Sequence, residues 1–468
     1  MSNQAESLTP QDVLARADEL QRRLGQRFRD QMVESLYHEA ERIARRAVHT
    51  RADRHWDLDQ RIDRAVTSPI FGLPLMLLLL AAVFWLTIAG ANYPSELLAT
   101  ALFRVEAQAV ALFSNWGVPW WITGFLWHGV YRGLAWVVSV MLPPMAIFFP
   151  LFTILEDLGY LPRVAFNLDW LFKKAGAHGK QALTMAMGFG CNAAGVIATR
   201  TIDSPRERLI AILTNNFVPC NGRFPTLIML ATIFVAAAFP PAFASLAAAG
   251  AVVAVVLLGV GFTLLVSWAL SRTILKGEAS AFTLELPPYR RPSVLRILYT
   301  SLIDRTLFVL WRAIVVAIPA GGVIWILANI SVGGGSLAQH IANLLSPLGL
   351  AIGLDGVILL AYIIAIPANE IVVPTILMMY LGTGMMIELE GFEQLRALLV
   401  DQHGWTLLTA VNLMLFSLLH NPCGTTIWTI WKETRSRKWT LVGALMPLGI
   451  AFLVTFLTAT AVRAIGWI

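Results

Sequence analysis

Charge is what this sequence has least of. Of 468 residues only 14% are Asp, Glu, Lys or Arg, while 57% are hydrophobic and the mean hydropathy is +0.66. A soluble domain carries about 25% charged residues. A water-surrounded globule is thereby excluded, and a polytopic membrane protein is the class that fits. Cysteine is scarce too: three in all, each inside an apolar stretch, which excludes a disulfide framework. No phosphate-cradling Gly-x-x-x-x-Gly-Lys-Ser/Thr loop is seen, since Gly179-Lys180-Gln181 lacks both the first glycine and the hydroxyl. Gly188-Phe189-Gly190 fails as a dinucleotide fingerprint, with Ala193 at the third glycine position and no strand before it. Most of the eight histidines lie in polar segments or at segment ends, so no Ser/His/Asp set is assembled. The net charge of +6 does not mark a nucleic-acid binder, because the basic residues cluster beside apolar segments, as in cytoplasmic loops.

What is present is a series of apolar stretches, several of them broken. Residues 1–66 are the polar exception. The span from Asp12 to Val48 reads as helical, with loosely spaced apolar stripes among arginines and glutamates. Without a secretory signal pattern it is expected in the cytoplasm, as either a solvated cap or a docking surface. Ile70 to Ala91 reads as the first spanning helix and Leu97 to Trp116 as an interfacial segment interrupted by Arg104 and Glu106. Leu134 to Leu155 spans again with Pro143, Pro144 and Pro150 inside it. Ala182 to Thr199 is flanked by Lys180 on one side and Arg200, Arg206 and Arg208 on the other. Basic residues at both ends predict a re-entrant hairpin, with Cys191 near its turn; a simple crossing is the alternative.

The next stretch, Leu209 to Phe239, is interrupted at Pro219-Cys220-Asn221-Gly222, and Arg223 follows at once. A charge there costs about 3 kcal/mol at a helix centre unless it finds a cavity or a partner. Ala242 to Leu270 and Leu307 to Ile330 span, and Leu337 to Gly353 reads as interfacial. Gly356 to Tyr380 is interrupted at Pro367-Ala368-Asn369-Glu370, Trp405 to Trp431 at Asn421-Pro422-Cys423-Gly424, and Leu441 to Val462 closes the chain. The halves echo one another. In this reading Glu156 answers Glu370, and Cys191 answers Cys423. Broken helices in two similar halves point to a transporter site at the repeat interface.

The sequence thus predicts an all-α, polytopic transmembrane helical bundle with two pseudo-repeated modules containing broken or re-entrant helices, plus a short cytosolic helical region. Its divisions fall at 1–66, 67–304 and 305–468. Irregular backbone at membrane depth is tolerated only where it is buried in protein or lines a cavity. All three cysteines lie on such breaks, each beside or near an asparagine: Cys191 with Asn192, Cys220 with Asn221, Cys423 with Asn421. Thiolate with amide and carboxylate oxygen, the last from Glu370, suits a divalent transition metal better than sodium, magnesium or a sugar. Met185, Met187, Met378 and Met379 read as core filling.

At these residues the chain resembles the bacterial ferrous iron transporter family FeoB. The likeness runs from Leu155-Glu156-Asp157-Leu158-Gly159-Tyr160 through Gly188-Phe189-Gly190-Cys191-Asn192, Ala198-Thr199-Arg200-Thr201 and Arg206-Glu207-Arg208-Leu209. It resumes at Pro367-Ala368-Asn369-Glu370-Ile371-Val372-Val373 and at Pro422-Cys423. The resemblance implies a multi-pass protein of the bacterial inner membrane with two Gate modules and a cysteine-lined Fe²⁺ path. Together with the reading of the helix breaks above, the expected metal set is Cys191, Cys220, Cys423, Asn192, Asn221, Asn421 and Glu370, with no permanently bound cofactor and no catalytic residue. The family normally carries a guanine-nucleotide-binding domain ahead of its helical region. The expected partners are therefore a separate small GTPase, a small cytosolic accessory protein and membrane lipid, without nucleic acid. Three positions depart from the family pattern: Asn192-Ala193-Ala194 replaces Asn-Val-Pro, and Asn369 stands where a lysine is usual. The alternatives are a nucleoside-like small-solute carrier and a non-transporting scaffold or sensor that recruits a GTPase.

Overall fold

A computed structural model of the chain describes residues 61–68, 71–277, 289, 292–387 and 392–466, together with short stretches between 16 and 47. Two compact units result: residues 1–64 with 280–285, and 65–279 with 286–468. In the first, residues 34–44 are helical and exposed; the rest of the amphipathic 12–48 stretch lies largely outside the described residues.

In the second unit, seven helices among the described residues are long and apolar enough to cross a membrane, or eight if one bent pair counts as a span. The protein is an all-α, multi-pass membrane protein. Exposed Trp85, Leu78, Leu257 and Leu453 are what lipid-facing helix surfaces require. The first helix, α1 (Gly72–Asn115), is continuous where the sequence suggested a span and a separate interfacial segment. At 44 residues it is about 66 Å long, twice a hydrocarbon core. The charge that argued for an interruption is neutralised inside the bundle. Buried Glu106 accepts from Arg132 Nη1 at 3.2 Å and lies 2.6 Å from His128 Nδ1.

Those partners sit on α2 (Trp120–Asp157), which crosses with Pro143, Pro144 and Pro150 within it. α3 (Tyr160–Lys174) leads to α4 (Gln181–Gly190), and α5 (Asn192–Ala198) follows after Cys191 alone. The extended backbone at Cys191 (φ −152°, ψ 124°) turns α5 back along α4. Gly195 consequently lies against the Thr184 carbonyl, where an added Cβ would come within 2.7 Å. The two ends of this segment are tied together, with Lys180 Nζ donating to the Thr201 carbonyl at 2.9 Å and pairing with Asp203 at 3.1 Å. Segment 181–199 is therefore a hairpin. Thiol-reactive probes at Lys180→Cys and Arg206→Cys are expected to label from the same, cytoplasmic face of sealed vesicles; labelling from opposite faces would refute a re-entrant arrangement.

α6 (Pro205–Thr214) starts at Ser204, whose Oγ accepts from the Glu207 amide, with Pro205 at the first helical position. After a break come α7 (Phe224–Leu230) and the long α8 (Pro241–Arg272). α9 (Leu295–Asn329) packs on α2 through glycines: a Cβ on Gly133 would come within 3.0 Å of Gly321 Cα. Such small-residue contacts let membrane helices approach closely, and this one joins the two halves of the sequence. A β-hairpin, Ser331–Val332 with Gly335–Ser336, turns the chain into α10 (Leu337–Ala351).

α10 is one arm of a bent pair rather than an isolated interfacial helix. α11 (Gly356–Ile364) leaves it at 110°, capped by Asp355, whose Oδ1 accepts from the Ile358 amide at 2.7 Å. The remaining helices are α12 (Val372–Leu381), α13 (Phe392–Arg396), α14 (Leu407–Leu419), α15 (Gly424–Thr434) and α16 (Arg437–Ala464).

Candidate functional site: four broken helices and a buried arginine

Four interruptions of helix fall between α4 and α5, α6 and α7, α11 and α12, and α14 and α15. Their order and backbone pair them differently from the sequence reading. Cys191 (φ −152°, ψ 124°) has the conformation of Ala368 (φ −152°, ψ 119°), and each precedes an asparagine, Asn192 or Asn369. Cys220 (φ −82°, ψ 169°) has nearly that of Cys423 (φ −63°, ψ 159°), and each follows a proline, Pro219 or Pro422. Cys423 thus answers Cys220, and Cys191 answers Ala368. Nor does Glu156 answer Glu370: Glu156 is exposed at the end of α2, whereas Glu370 lies in the interior break.

The breaks converge. The Gly424 amide donates to the Ile366 carbonyl at 2.7 Å, joining the two breaks of the second half. Asn215 Nδ2 donates to the Asn192 carbonyl at 3.1 Å, joining those of the first. Gly188 and Gly195 admit the Asn215 amide between the hairpin arms, since a Cβ at Gly195 would come within 2.5 Å of Nδ2. Across the halves, Asn216 Nδ2 donates to the His420 carbonyl at 2.7 Å; within the second half, His420 Nε2 lies 3.3 Å from Asn369 Oδ1.

Arg223 binds this junction together. It is fully buried, at 1% exposure. Nη1 donates to the carbonyls of Asn216 (2.9 Å) and Leu418 (2.8 Å). Nη2 donates to Asn216 Oδ1 (3.1 Å) and the carbonyls of His420 (3.3 Å) and Asn421 (3.4 Å). These carbonyls have lost their helical partners because the helices stop, and a broken helix presents the negative end of its dipole there. A cation held by carbonyl dipoles needs no carboxylate. This explains how a charge inside an apolar segment is accommodated.

Around this junction lie the candidate metal ligands. Cys191 and Cys220 are buried and Cys423 is half-buried; all three are free thiols. Cys191 lies within electrostatic range of the other two, and Cys220 and Cys423 each lie within range of Glu370. The Glu370 carboxyl rests directly on Gly222, where any side chain would collide with it. It makes no ion pair among the described residues. Cys423 Sγ lies 3.2 Å from Thr426 Oγ1. Asn221 lines a small cavity of about 10 Å³ with Phe148, Phe189 and Gly190, close to the space of one water.

The asparagines differ in role. Buried Asn192 is committed to the scaffold: in the amide orientation its surroundings favour, Nδ2 donates to the Gly188 and Val218 carbonyls at 3.2 Å. Asn421 Nδ2 donates to the Pro422 carbonyl at 3.3 Å. Among the described residues, no three His, Cys, Asp or Glu side chains converge into a metal cage. The sequence reading missed Asn215, Asn216 and His420, and named Asn369 only as part of a break and a departure from the family pattern. A signal for the first two was present, since adjacent amides inside an apolar stretch must be spent on something.

Outside the membrane-spanning helices, Lys180 beside exposed Asp203 holds that carboxyl below its ordinary range. Burial lowers the pKa of His178 at the foot of the hairpin.

The sequence is similar to that of known proteins. A family model named Gate and described as "Nucleoside recognition" matches residues 138–234 and 310–437, and each match holds two of the four breaks. A second model, "Ferrous iron transport protein B C terminus", matches residues 252–304 between them. The chain is 29% identical over 410 residues to a protein named Fe(2+) transporter FeoB from Staphylococcus aureus (strain MSSA476), covering 85% of this chain and 58% of that one. It is 29% identical to the Synechocystis protein of the same name, covering 87% and 63%. For the Legionella pneumophila (strain Paris) protein the identity is 30%, covering 73% and 45%. The chain thus spans roughly half the length of these relatives. No solved structure matches it. With Gate matches flanking a FeoB C-terminal match, and similarity to proteins of that name along most of its length, this chain belongs to the FeoB family.

Proposed function

We propose that this chain carries Fe²⁺ across the bacterial inner membrane along a path lined by Cys191, Cys220 and Cys423, with Glu370, Asn221 and Asn421 as oxygen donors and Asn192 beside them. The observation that carries this reading is the convergence of four helix breaks from two Gate matches on one polar junction holding all three cysteines and Glu370. Irregular backbone at such depth serves a polar path. The relatives' names supply the ion. Thiol sulfur with carboxylate and amide oxygen suits a borderline divalent metal. An ion that must also leave is better served by successive partial sites than by one closed cage.

The proposal divides the chain into a regulatory region, 1–66, and two transport halves, 67–304 and 305–468. We infer that a small GTPase acts in trans through the 12–48 region. A cytosolic accessory protein is a further proposed partner, supported by the Porphyromonas gingivalis relative, named a fusion of Fe(2+) transport protein A and FeoB. The test is flux. Purified protein in sealed vesicles should pass Fe²⁺ anaerobically and exclude uridine, and the GTPase should change the flux only while residues 1–60 are present. Uridine flux without Fe²⁺ flux would favour the small-solute carrier. Flux of neither would favour a scaffold, and a GTPase response surviving the deletion would remove the docking role.

A further inference from the structure

A second polar site lies between α5, α9 and α15, on the side of the protein where the basic residues cluster. A cavity of about 300 Å³ opens there, floored by Phe149, Met187 and Ala194 next to the Cys191 break and rimmed by Arg200, Arg312, Lys432 and Glu433. The charges do not balance. Glu433 is taken by Arg200, which donates to its two oxygens from Nε (2.9 Å) and Nη2 (2.7 Å). Arg312 donates from Nη1 to Thr429 Oγ1 at 3.1 Å, and its guanidinium lies 4.2 Å from the Phe308 ring centroid. Lys432 Nζ lies 5.3 Å from the Trp428 ring centroid. Neither cation has a carboxylate within ion-pairing distance among the described residues. The lining therefore holds a net charge of +2 in a pocket with an apolar floor.

We propose that this cavity binds a phosphate-bearing anion: the headgroup of an anionic phospholipid or a soluble phosphate. Guanidinium donors in a planar fork and an ammonium point charge are the groups that recognise phosphate. Basic pockets between membrane helices at the cytoplasmic face are where anionic headgroups are held. The lining also combines the two surfaces such a ligand presents, with charges at the rim and Phe149 and Val309 deeper in. The position gives the site a consequence. Its floor adjoins Cys191, so a bound anion offsets positive charge that otherwise repels a cation leaving the junction. It also competes with Glu433 for Arg200, which forms the one ion pair between the two sequence halves among the described residues. The site stands whether or not Fe²⁺ is the cargo.

The test uses purified full-length protein in detergent, titrated with phosphatidylglycerol or phosphatidylcholine and followed by native mass spectrometry. A parallel titration adds inorganic phosphate against chloride. Phosphatidylglycerol should be retained over phosphatidylcholine, and Arg312→Gln with Lys432→Gln should weaken it by about thirtyfold at roughly 1 kcal/mol per cation. Glu433→Gln should tighten binding, because it removes the only carboxylate of the rim and releases Arg200. Were the cluster only structural, that substitution would leave anion binding unchanged. Discrimination between the lipids assigns a headgroup; saturable binding of inorganic phosphate alone, lost in the double variant, assigns a soluble anion. Equal retention of both lipids, no saturable phosphate binding and no response to Glu433→Gln would overturn the proposal.

Discussion

Arg223→Leu is expected to unfold the membrane bundle or prevent its accumulation. Arg223 is buried, and its guanidinium serves four backbone carbonyls and one side-chain oxygen drawn from two broken helices. Leucine fills much of the volume but donates nothing. The carbonyls of Leu418, Asn216 and His420 would then face apolar surroundings without water. Each buried group left unmet costs about 1–3 kcal/mol, so a total of about 4 kcal/mol or more is expected even if some find new partners. Lysine keeps the charge but presents a single ammonium in place of the fork, so Arg223→Lys should fall between. The measurement is thermal unfolding in detergent beside Arg200→Leu as a control. The Arg200 side chain is itself 65% exposed where it pairs with Glu433, and an ion pair of that kind contributes about 0–1 kcal/mol. Arg223→Leu melting together with that control would mean that the junction is held by something else.

Much of this was legible from the residues, for reasons that particular positions show. The hairpin at Cys191 could be inferred because basic residues at both ends constrain sidedness, and Lys180 does meet Thr201 and Asp203. Three of the four breaks were marked by a proline within two residues of an asparagine, and the fourth by clustered glycine, both costly inside a helix. Proline alone was no marker, since α2 runs through Pro143, Pro144 and Pro150. α1 was not legible as one helix. A charge such as Glu106 reads as an interruption until its partners His128 and Arg132, on another helix, are known.

The pairing of the repeats was misread for a related reason. Matching cysteine to cysteine by their place in each half favoured Cys191 with Cys423, whereas the repeat preserves backbone shape. Proline precedes Cys220 and Cys423, which share one conformation, and asparagine follows Cys191 and Ala368, which share the other. Four-way convergence, with Asn216 and His420 at its centre, is a tertiary fact that no local pattern encodes.

That repeat logic sharpens what is expected of the thiols. Cys191→Ser and Cys423→Ser should each reduce Fe²⁺ uptake at unchanged expression, and Cys220→Ser should do the same or somewhat less. Serine keeps the size and a hydrogen-bonding atom, so Cys423→Ser can still meet Thr426 where the thiol does now, at 3.2 Å. What it loses is a soft ligand for a borderline metal. Loss of even an outer partner of a metal ligand costs about 10–100-fold in affinity or activity, and a direct ligand should cost no less than about tenfold. The three cysteines stand within electrostatic range without forming a cage among the described residues. They should therefore act as steps in series, with the slowest setting the rate. Replacing Cys191 and Cys423 together should then be little worse than the more damaging single change, whereas independent contributions would multiply. Initial rates of ⁵⁵Fe²⁺ uptake into anaerobic vesicles, normalised to protein, make the comparison. Uptake at the native rate by a cysteine-free variant would assign all three thiols to packing, and the polar path would then rest on Glu370 and the asparagines alone.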